Sequence, residues 1–330
     1  MTLFDNHNRP ITYLRLAVTD RCNLRCFYCM PEEGIQYLPK KEVLTYEEII
    51  RLVTIMAGMG ISKLRLTGGE PFVRTDLMKL IRSLTCISGL QDIHLTTNGI
   101  LTAPYIPELK QLGIASVNLS LDTLDPGRFK RITRRNEFDA TRKTLDSLLS
   151  YKIPVKVNTV VMDGKNIDDI IPMVELTRQH PIAVRFIEEM PFNGTMGQQH
   201  SLSWNYKRIL AHITDHYQQL EKIQDPDFST SYNYRVPGYT GSIGVIAAFS
   251  RTFCGTCNRI RLTAQGMIKT CLYDDGVLNI KSLMRSGASD SDVINQLTTV
   301  FRQRPKDGFE AEAQRKNHKP ANESMSTIGG

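Results

Sequence analysis

The fold class this sequence predicts is α/β, a partial (β/α)6 barrel of the TIM-like kind, and three observations predict it. Apolar runs of strand length alternate with amphipathic helical stretches six times from residue 11 to a helix after Ser203. The repeat is roughly 30 residues, the length of a strand with a right-handed helical crossover, which makes the sheet parallel. Residues able to do chemistry fall where the strands end, the edge at which parallel barrels gather their sites.

Residues 11 to 19, ITYLRLAVT, read as the first strand, and a cysteine loop follows it directly. Cys22, Cys26 and Cys29 stand in the spacing CxxxCxxC. Random placement of seven cysteines over 330 positions would give this roughly 0.003 times, so a metal is the better explanation. No histidine lies in the segment to complete tetrahedral zinc. Three thiolates in one loop suit a four-iron, four-sulfur cluster with one iron open, while a structural zinc with a distant fourth ligand is the alternative.

Thr45 and Glu48 form a capping box that opens a helix through IIRLVTIMAG, stopping near Gly58 and Gly60. Strand SKLRLT then ends in Gly68-Gly69-Glu70-Pro71 and leads into helix TDLMKLIRSL. A glycine pair at that point either admits a ligand close to the backbone or makes a tight turn. Strand DIHLTTNG, carrying Thr96, precedes a helix near 104 to 112; ASVNLSLD, carrying Ser120, precedes one near 138 to 150. VKVNTVVM and a helix near 166 to 179 follow, then AVRFIEEM at 183 to 190, ending in Met190, with a helix after Ser203.

Arg15, Arg65, Lys156 and Arg185 each sit among apolar residues inside an expected strand. Buried cations need an anion, so four of them converging inside a barrel point to a phosphate-rich ligand. Outward placement or pairing with carboxylates is the other reading.

From 241 the pattern changes, and the chain divides into a barrel at 1–240 and a C-terminal region at 241–330. GSIGVIAAF reads as a strand, and Cys254 and Cys257 form a CxxC ahead of Arg259, Ile260, Arg261 and a hairpin that ends at Cys271. This is a second three-thiolate set, again suited to a cluster with an open iron, with zinc as the alternative. Cys86 belongs to neither set and is expected to be a small buried hydrophobe. Helices are expected near 277 to 285 and 289 to 302, before a polar tail of disordered composition ending in Gly329 and Gly330.

The net charge of +7 and pI near 9.0 favour an anionic partner without choosing it. No apolar run approaches the roughly 18 residues of a membrane span, and the N-terminus lacks a signal pattern, so the chain reads as cytoplasmic. In a reducing compartment cysteines are metal ligands rather than disulfides. A zinc-stabilised nucleic-acid binder is disfavoured by the lack of a finger pattern or of an aromatic and basic stripe.

CNLRCFYCMP resembles the signature of the radical S-adenosylmethionine (SAM) superfamily. With LTGGEP, LTTNG, SLDTL, VKVNTVVM, RFIEEMP, FCGTCNRIRLTAQG, Cys271 and the terminal glycines, it resembles the GTP 3′,8-cyclase family of molybdenum cofactor biosynthesis. That resemblance implies two 4Fe-4S clusters, on Cys22, Cys26 and Cys29 and on Cys254, Cys257 and Cys271. It implies SAM contacts at Tyr28, Gly69, Ser120 and Met190, and GTP contacts at Arg15, Arg65, Thr96, Lys156, Arg259, Ile260 and Arg261. Arg185 would be an additional site residue, and Arg259, Arg261, Gly329 and Gly330 would support the later chemistry. The implied reaction takes hydrogen from the ribose 3′ carbon of GTP by way of a 5′-deoxyadenosyl radical and closes a bond to guanine carbon 8. A homodimer, an electron donor and a downstream cyclic pyranopterin monophosphate synthase are the implied partners. A peptide-modifying radical SAM enzyme is the nearest alternative.

Overall fold

A computed structural model describes residues 3–192, 202–316 and 323–329. Two short strands, β1 (Leu3–Phe4) and β2 (Pro10–Ile11), pair as a hairpin apart from the main sheet. Six strands then alternate with helices: β3 (Tyr13–Ala17), α1 (Tyr46–Gly58), β4 (Lys63–Thr67), α2 (Leu77–Thr85), β5 (Asp92–Thr97), α3 (Ile106–Gln111) and β6 (Ser116–Ser120). The series continues with α4 (Pro126–Thr133), α5 (Phe138–Ser150), β7 (Val155–Val161), α6 (Ile170–Gln179), β8 (Ala183–Glu188) and α7 (Tyr206–His216). The expected parallel order is the observed one, β3 to β8 side by side.

The chain then adds a parallel strand at each edge. After β9 (Glu221–Lys222) and β10 (Ser231–Arg235), β11 (Ser242–Ile246) pairs with β8. Next, β12 (Arg259–Leu262) crosses to pair with β3. β13 (Met267–Lys269) and β14 (Leu278–Asn279) extend that side in antiparallel fashion, giving one sheet of twelve strands. A boundary drawn at 240 therefore falls between β10 and β11, which are hydrogen-bonded neighbours. Helices α8 (Ile280–Arg285), α9 (Asp290–Phe301), α10 (Gly308–Ala313) and α11 (Met325–Ile328) complete the described chain.

Alternation along the strands decides what goes where. Leu14, Leu16, Leu64, Leu66, Leu95, Val117, Leu119 and Val157 are fully buried on the outer face of the sheet. They meet the apolar stripes of the surrounding helices, such as Ile49, Leu52, Val53 and Met56 of α1, in one core. Helix α1 begins where the capping box places it, with Glu48 N–H donating to Thr45 Oγ1 at 3.2 Å and Thr45 N–H to Glu48 Oε2 at 2.8 Å. The other residues of each strand face inward and are free to be polar.

Some expectations need correction. Cys86 is exposed rather than buried; it caps the C-terminus of α2 and its thiol donates to Arg82 O at 3.4 Å. Helix α4 was not foreseen, although Asp125 caps it and Pro126 opens it. The tail is not wholly without structure: Asp307 caps α10, and Ser326, Ile328 and Gly329 are buried. Residues 317–322 and Gly330 lie outside the described residues.

Candidate active site

The inward side chains enclose a cavity of about 470 Å³, and all six cysteines of the two sets line it. The first set sits in the loop after β3. Leu24 N–H donates to Cys22 Sγ at 3.4 Å and Asn98 Nδ2 donates to the same sulfur at 3.8 Å, while Ser324 of the tail lies 3.9 Å from Cys29 Sγ and donates to Cys29 O at 2.8 Å. Withdrawal from water pushes the Cys22 thiol up to about 12 and raises Cys26 and Cys29 as well. Such thiols stay protonated until a metal takes the proton's place.

The glycine pair packs against this loop. A Cβ on Gly68 would stand 2.3 Å from Thr19 O, and one on Gly69 2.3 Å from Arg21 O. Close backbone approach is required here, and the partner is the cysteine loop itself; both glycines also line the cavity. Tyr28 O–H donates to Asp122 Oδ2 at 2.8 Å, and Val160 N–H holds Asp122 Oδ1 at 2.8 Å, which ties the loop to the ends of β6 and β7. Ser120 and Met190 line the cavity beside them.

Glu70, next in chain, is fully buried and accepts from Phe72 N–H at 3.1 Å, Thr97 O–H at 2.8 Å and Asn98 N–H at 2.7 Å. Burial pushes its carboxyl up from 4.5 to about 7 despite those three donors. The folded value lies above the unfolded one, so its stabilising contribution is full below pH 4.5 and is lost as pH rises through about 7. Urea unfolding of the iron-free chain should show about 3 kcal/mol less stability at pH 8 than at pH 5 from this group. Glu70→Gln removes that difference.

The cavity wall is cationic because register aligns the strand cations. Arg261 of β12, Arg15 of β3 and Arg65 of β4 are direct cross-strand partners. Thr96, Asn118 and Lys156 form the next row across β5, β6 and β7, and Asn158 pairs with Arg185 of β8. Buried atoms without a partner cluster here: Arg15 Nε, Thr96 Oγ1, Asn118 Oδ1, Asn158 Oδ1, Arg185 Nε and Nη2, and Arg259 Nη1. Desolvation and neighbouring cations lower Arg15 well below its usual value, Arg185 to about 9 and Lys156 to about 8. Arginine keeps its proton in proteins, so that cost is relieved by an anion.

Ile260, expected with Arg259 and Arg261, does not line the cavity. Strand alternation sends it outward into the core, fully buried opposite Leu14. Among the lining residues that escaped the sequence reading are Lys63, Tyr13, Asn118 and Phe228. Tyr13 takes a hydrogen bond from Arg65 Nε at 2.5 Å, and Arg259 Nη2 donates to Phe228 O at 2.5 Å. A lone strand tyrosine and a polar loop carry no signal of such a role.

The second set lies at the far end. Cys257 just precedes β12 and Cys271 follows antiparallel β13, so both sit at the amino-terminal end of β12 and of its parallel neighbour β3. The first set follows the carboxyl end of β3. Five strand residues, about 16 Å, separate the two ends. Loss of water contact raises Cys254 and pushes Cys271 up to about 12. Cys257 goes the other way, burial being outweighed by the charges of Arg259 and Arg304. Among the described residues no three His, Cys, Asp or Glu side chains group so as to hold one metal ion, whereas tetrahedral zinc needs thiols about 3.8 Å apart.

The tail reaches between the sets. Arg261 Nη1 donates to Gly329 O, and a Cβ on Gly329 would meet Thr67 Cγ2 at 3.1 Å and Ala17 Cβ at 3.2 Å. Gly329 also has φ of 77°, in the left-handed region. Gly329→Ala should therefore cost about 1–2 kcal/mol and loosen the docked tail. Faster cleavage after residue 323 in limited proteolysis checks this; unchanged protection would contradict it.

Residues 16–177 match the family model of the radical SAM superfamily, and residues 182–310 match that of Molybdenum Cofactor Synthesis C. A GTP 3′,8-cyclase of Syntrophomonas wolfei subsp. wolfei is 41% identical over 304 residues, covering 92% of this chain and 93% of that one. The chain belongs to the GTP 3′,8-cyclase family. A mitochondrial GTP 3′,8-cyclase of Arabidopsis thaliana is 42% identical over 87% of this chain and 74% of its own length. Molybdenum cofactor biosynthesis protein 1 of Mus musculus is 42% identical over 88% of this chain, which spans only 46% of that longer protein. The fold is shared with SuiB of Streptococcus suis, solved with S-adenosylmethionine, at TM-score 0.61 and 15% identity over 94% of this chain and 70% of that one. Membership in the GTP 3′,8-cyclase family brings SAM and two 4Fe-4S clusters as cofactors. No helix among the described residues is long and apolar enough to cross a membrane.

Proposed function

We propose that this chain binds GTP between its two cysteine sets and cyclises it, with SAM, to (8S)-3′,8-cyclo-7,8-dihydroguanosine 5′-triphosphate, the first step of molybdenum cofactor biosynthesis. The observation that carries this reading is the cavity itself, which has a thiol set at each end and unpartnered guanidinium groups along the wall between them. A polyanion that spans both ends satisfies every part of it.

Cys22, Cys26 and Cys29 would hold the cluster that takes SAM, with Tyr28, Gly69, Ser120 and Met190 around the SAM molecule. Cys254, Cys257 and Cys271 would hold the auxiliary cluster beside the guanine. When bound, the clusters and SAM supply the electron and the radical that removes hydrogen from the ribose 3′ carbon. Arg15, Arg65, Lys156 and Arg259 neutralise the triphosphate, joined by Lys63 and Arg185, and Thr96 offers a hydroxyl. Arg261, held by Gly329 O, links the substrate to the tail. The tail closes the cavity to water and fixes the geometry in which carbon 3′ faces carbon 8. Family membership supports a homodimer, an electron donor and a cyclic pyranopterin monophosphate synthase as next enzyme. The reduced thiols support a cytoplasmic setting.

The test is anaerobic turnover with GTP deuterated at the ribose 3′ position. Deuterium in 5′-deoxyadenosine together with a cyclised GTP product supports the reading. Deoxyadenosine free of deuterium would assign another substrate.

A further inference from the structure

The auxiliary cysteines are gripped at their end of the cavity by a buried charge cluster, of which Arg9 and Arg304 also line the cavity, and which neither family model covers in full. Asp5, Arg9 and Arg304 are 7%, 5% and 3% exposed. Asp5 Oδ2 receives Arg9 Nε at 2.7 Å and Arg304 Nη1 at 3.1 Å, while Oδ1 receives the backbone N–H groups of His7 and Arg9, each at 2.9 Å. The two guanidiniums then reach opposite sides of the CxxC turn. Arg9 Nη1 donates to Cys254 O at 3.1 Å; Arg304 donates to Cys257 O at 3.2 Å, Arg259 O at 3.0 Å, Thr270 O at 3.2 Å and Cys257 Sγ at 3.7 Å. Asn6 and His7 hold the Arg304 carbonyl in turn.

Two guanidiniums against one carboxylate leave one positive charge, shielded from water, beside the ligand sulfur. We propose that the Asp5, Arg9 and Arg304 cluster sets the reduction potential of the auxiliary iron–sulfur site, with Arg304 as the positioning residue for Cys257. An N–H donor to a cluster sulfur and a nearby positive charge both favour the reduced form, and low local dielectric makes each count for more than at the surface. Carbonyls of residues 254, 257, 259 and 270 point at the same pair of arginines. The clamp thus fixes the ligand turn and Arg259 as one unit.

The inference rests on the two-cluster reading, and the experiment separates the two. The full chain is reconstituted with iron and sulfide and titrated electrochemically, with electron paramagnetic resonance as readout. The cluster whose spectrum responds to SAM is the first; the other is the auxiliary one. Arg304→Gln removes a positive charge and the sulfur donor, and should move the auxiliary midpoint to lower potential, with Arg304→Lys giving a smaller shift of the same sign. Asp5→Asn removes the negative charge and should move it to higher potential. Opposed shifts, with the SAM-responsive cluster unmoved, support the device. Unchanged midpoints, shifts of one sign in Asp5→Asn and Arg304→Gln, or mere loss of auxiliary iron in both would reduce the cluster to a structural brace and overturn it. A native chain with a single cluster would overturn the two-cluster reading instead.

Discussion

With alanine at Arg261, the reconstituted chain is expected to cleave SAM and yield no cyclised GTP. Arg261 stands in register with Arg15 on the cavity wall and joins that wall to the tail through Gly329 O. Desolvation, helped by Arg259 and opposed by Cys271 and Cys257, lowers it to about 10, a sign of a cation held where water stabilises it poorly. Removing such a preorganised donor costs about 10²- to 10³-fold in rate where it meets developing charge. The first cysteine set lies beyond the other end of β3, so 5′-deoxyadenosine and methionine should still form. Arg261→Lys keeps charge without the planar fork and should recover part of the product. Product at the native rate from Arg261→Ala would remove this residue from the chemistry.

Cys26→Ala is expected to have the larger effect, abolishing SAM cleavage altogether. Its loop offers three thiols, Cys22, Cys26 and Cys29, and all three line the cavity. Two remaining thiolates do not retain a four-iron cluster, while the auxiliary set at the other end of the cavity is untouched. Iron content should fall from about eight to about four per chain, with 5′-deoxyadenosine at background. Cys271→Ala should lose the same amount of iron yet leave the SAM-responsive spectrum. Normal deoxyadenosine from Cys26→Ala would refute the assignment of the first set.

The parts of the fold most legible beforehand were those governed by local pattern. Alternation in YLRLA, KLRLT and VKVNTVV placed β3, β4 and β7 within two residues, and cations in such runs can only face a polar interior or solvent. Both cysteine sets were visible from spacing. Long-range placement was not: that β12 pairs with β3 and carries the second set to the opposite end depends on contacts across some 250 residues. Strand β10, SYNYR, is too polar to stand out and owes its pairing to β9 and β11. The clamp on Cys257 had no local signature, because Asp5 and Arg304 are 299 positions apart. The tail's polar composition argued for disorder, yet Ser324 and Gly329 dock through single hydrogen bonds that composition does not encode.

The pairing of β12 with β3, and of Asp5 with Arg304, also fixes an order of assembly. As the chain leaves the ribosome, the first cysteine loop has its neighbours β4 to β6 soon after it emerges. The second must wait for Arg304, about 275 residues later, or roughly 15 to 55 s at ordinary synthesis rates. The amino-terminal hairpin stays unclaimed through that interval. Iron delivery thus meets two sites of different age on one polypeptide, the younger of which closes only when the two ends of the chain come together.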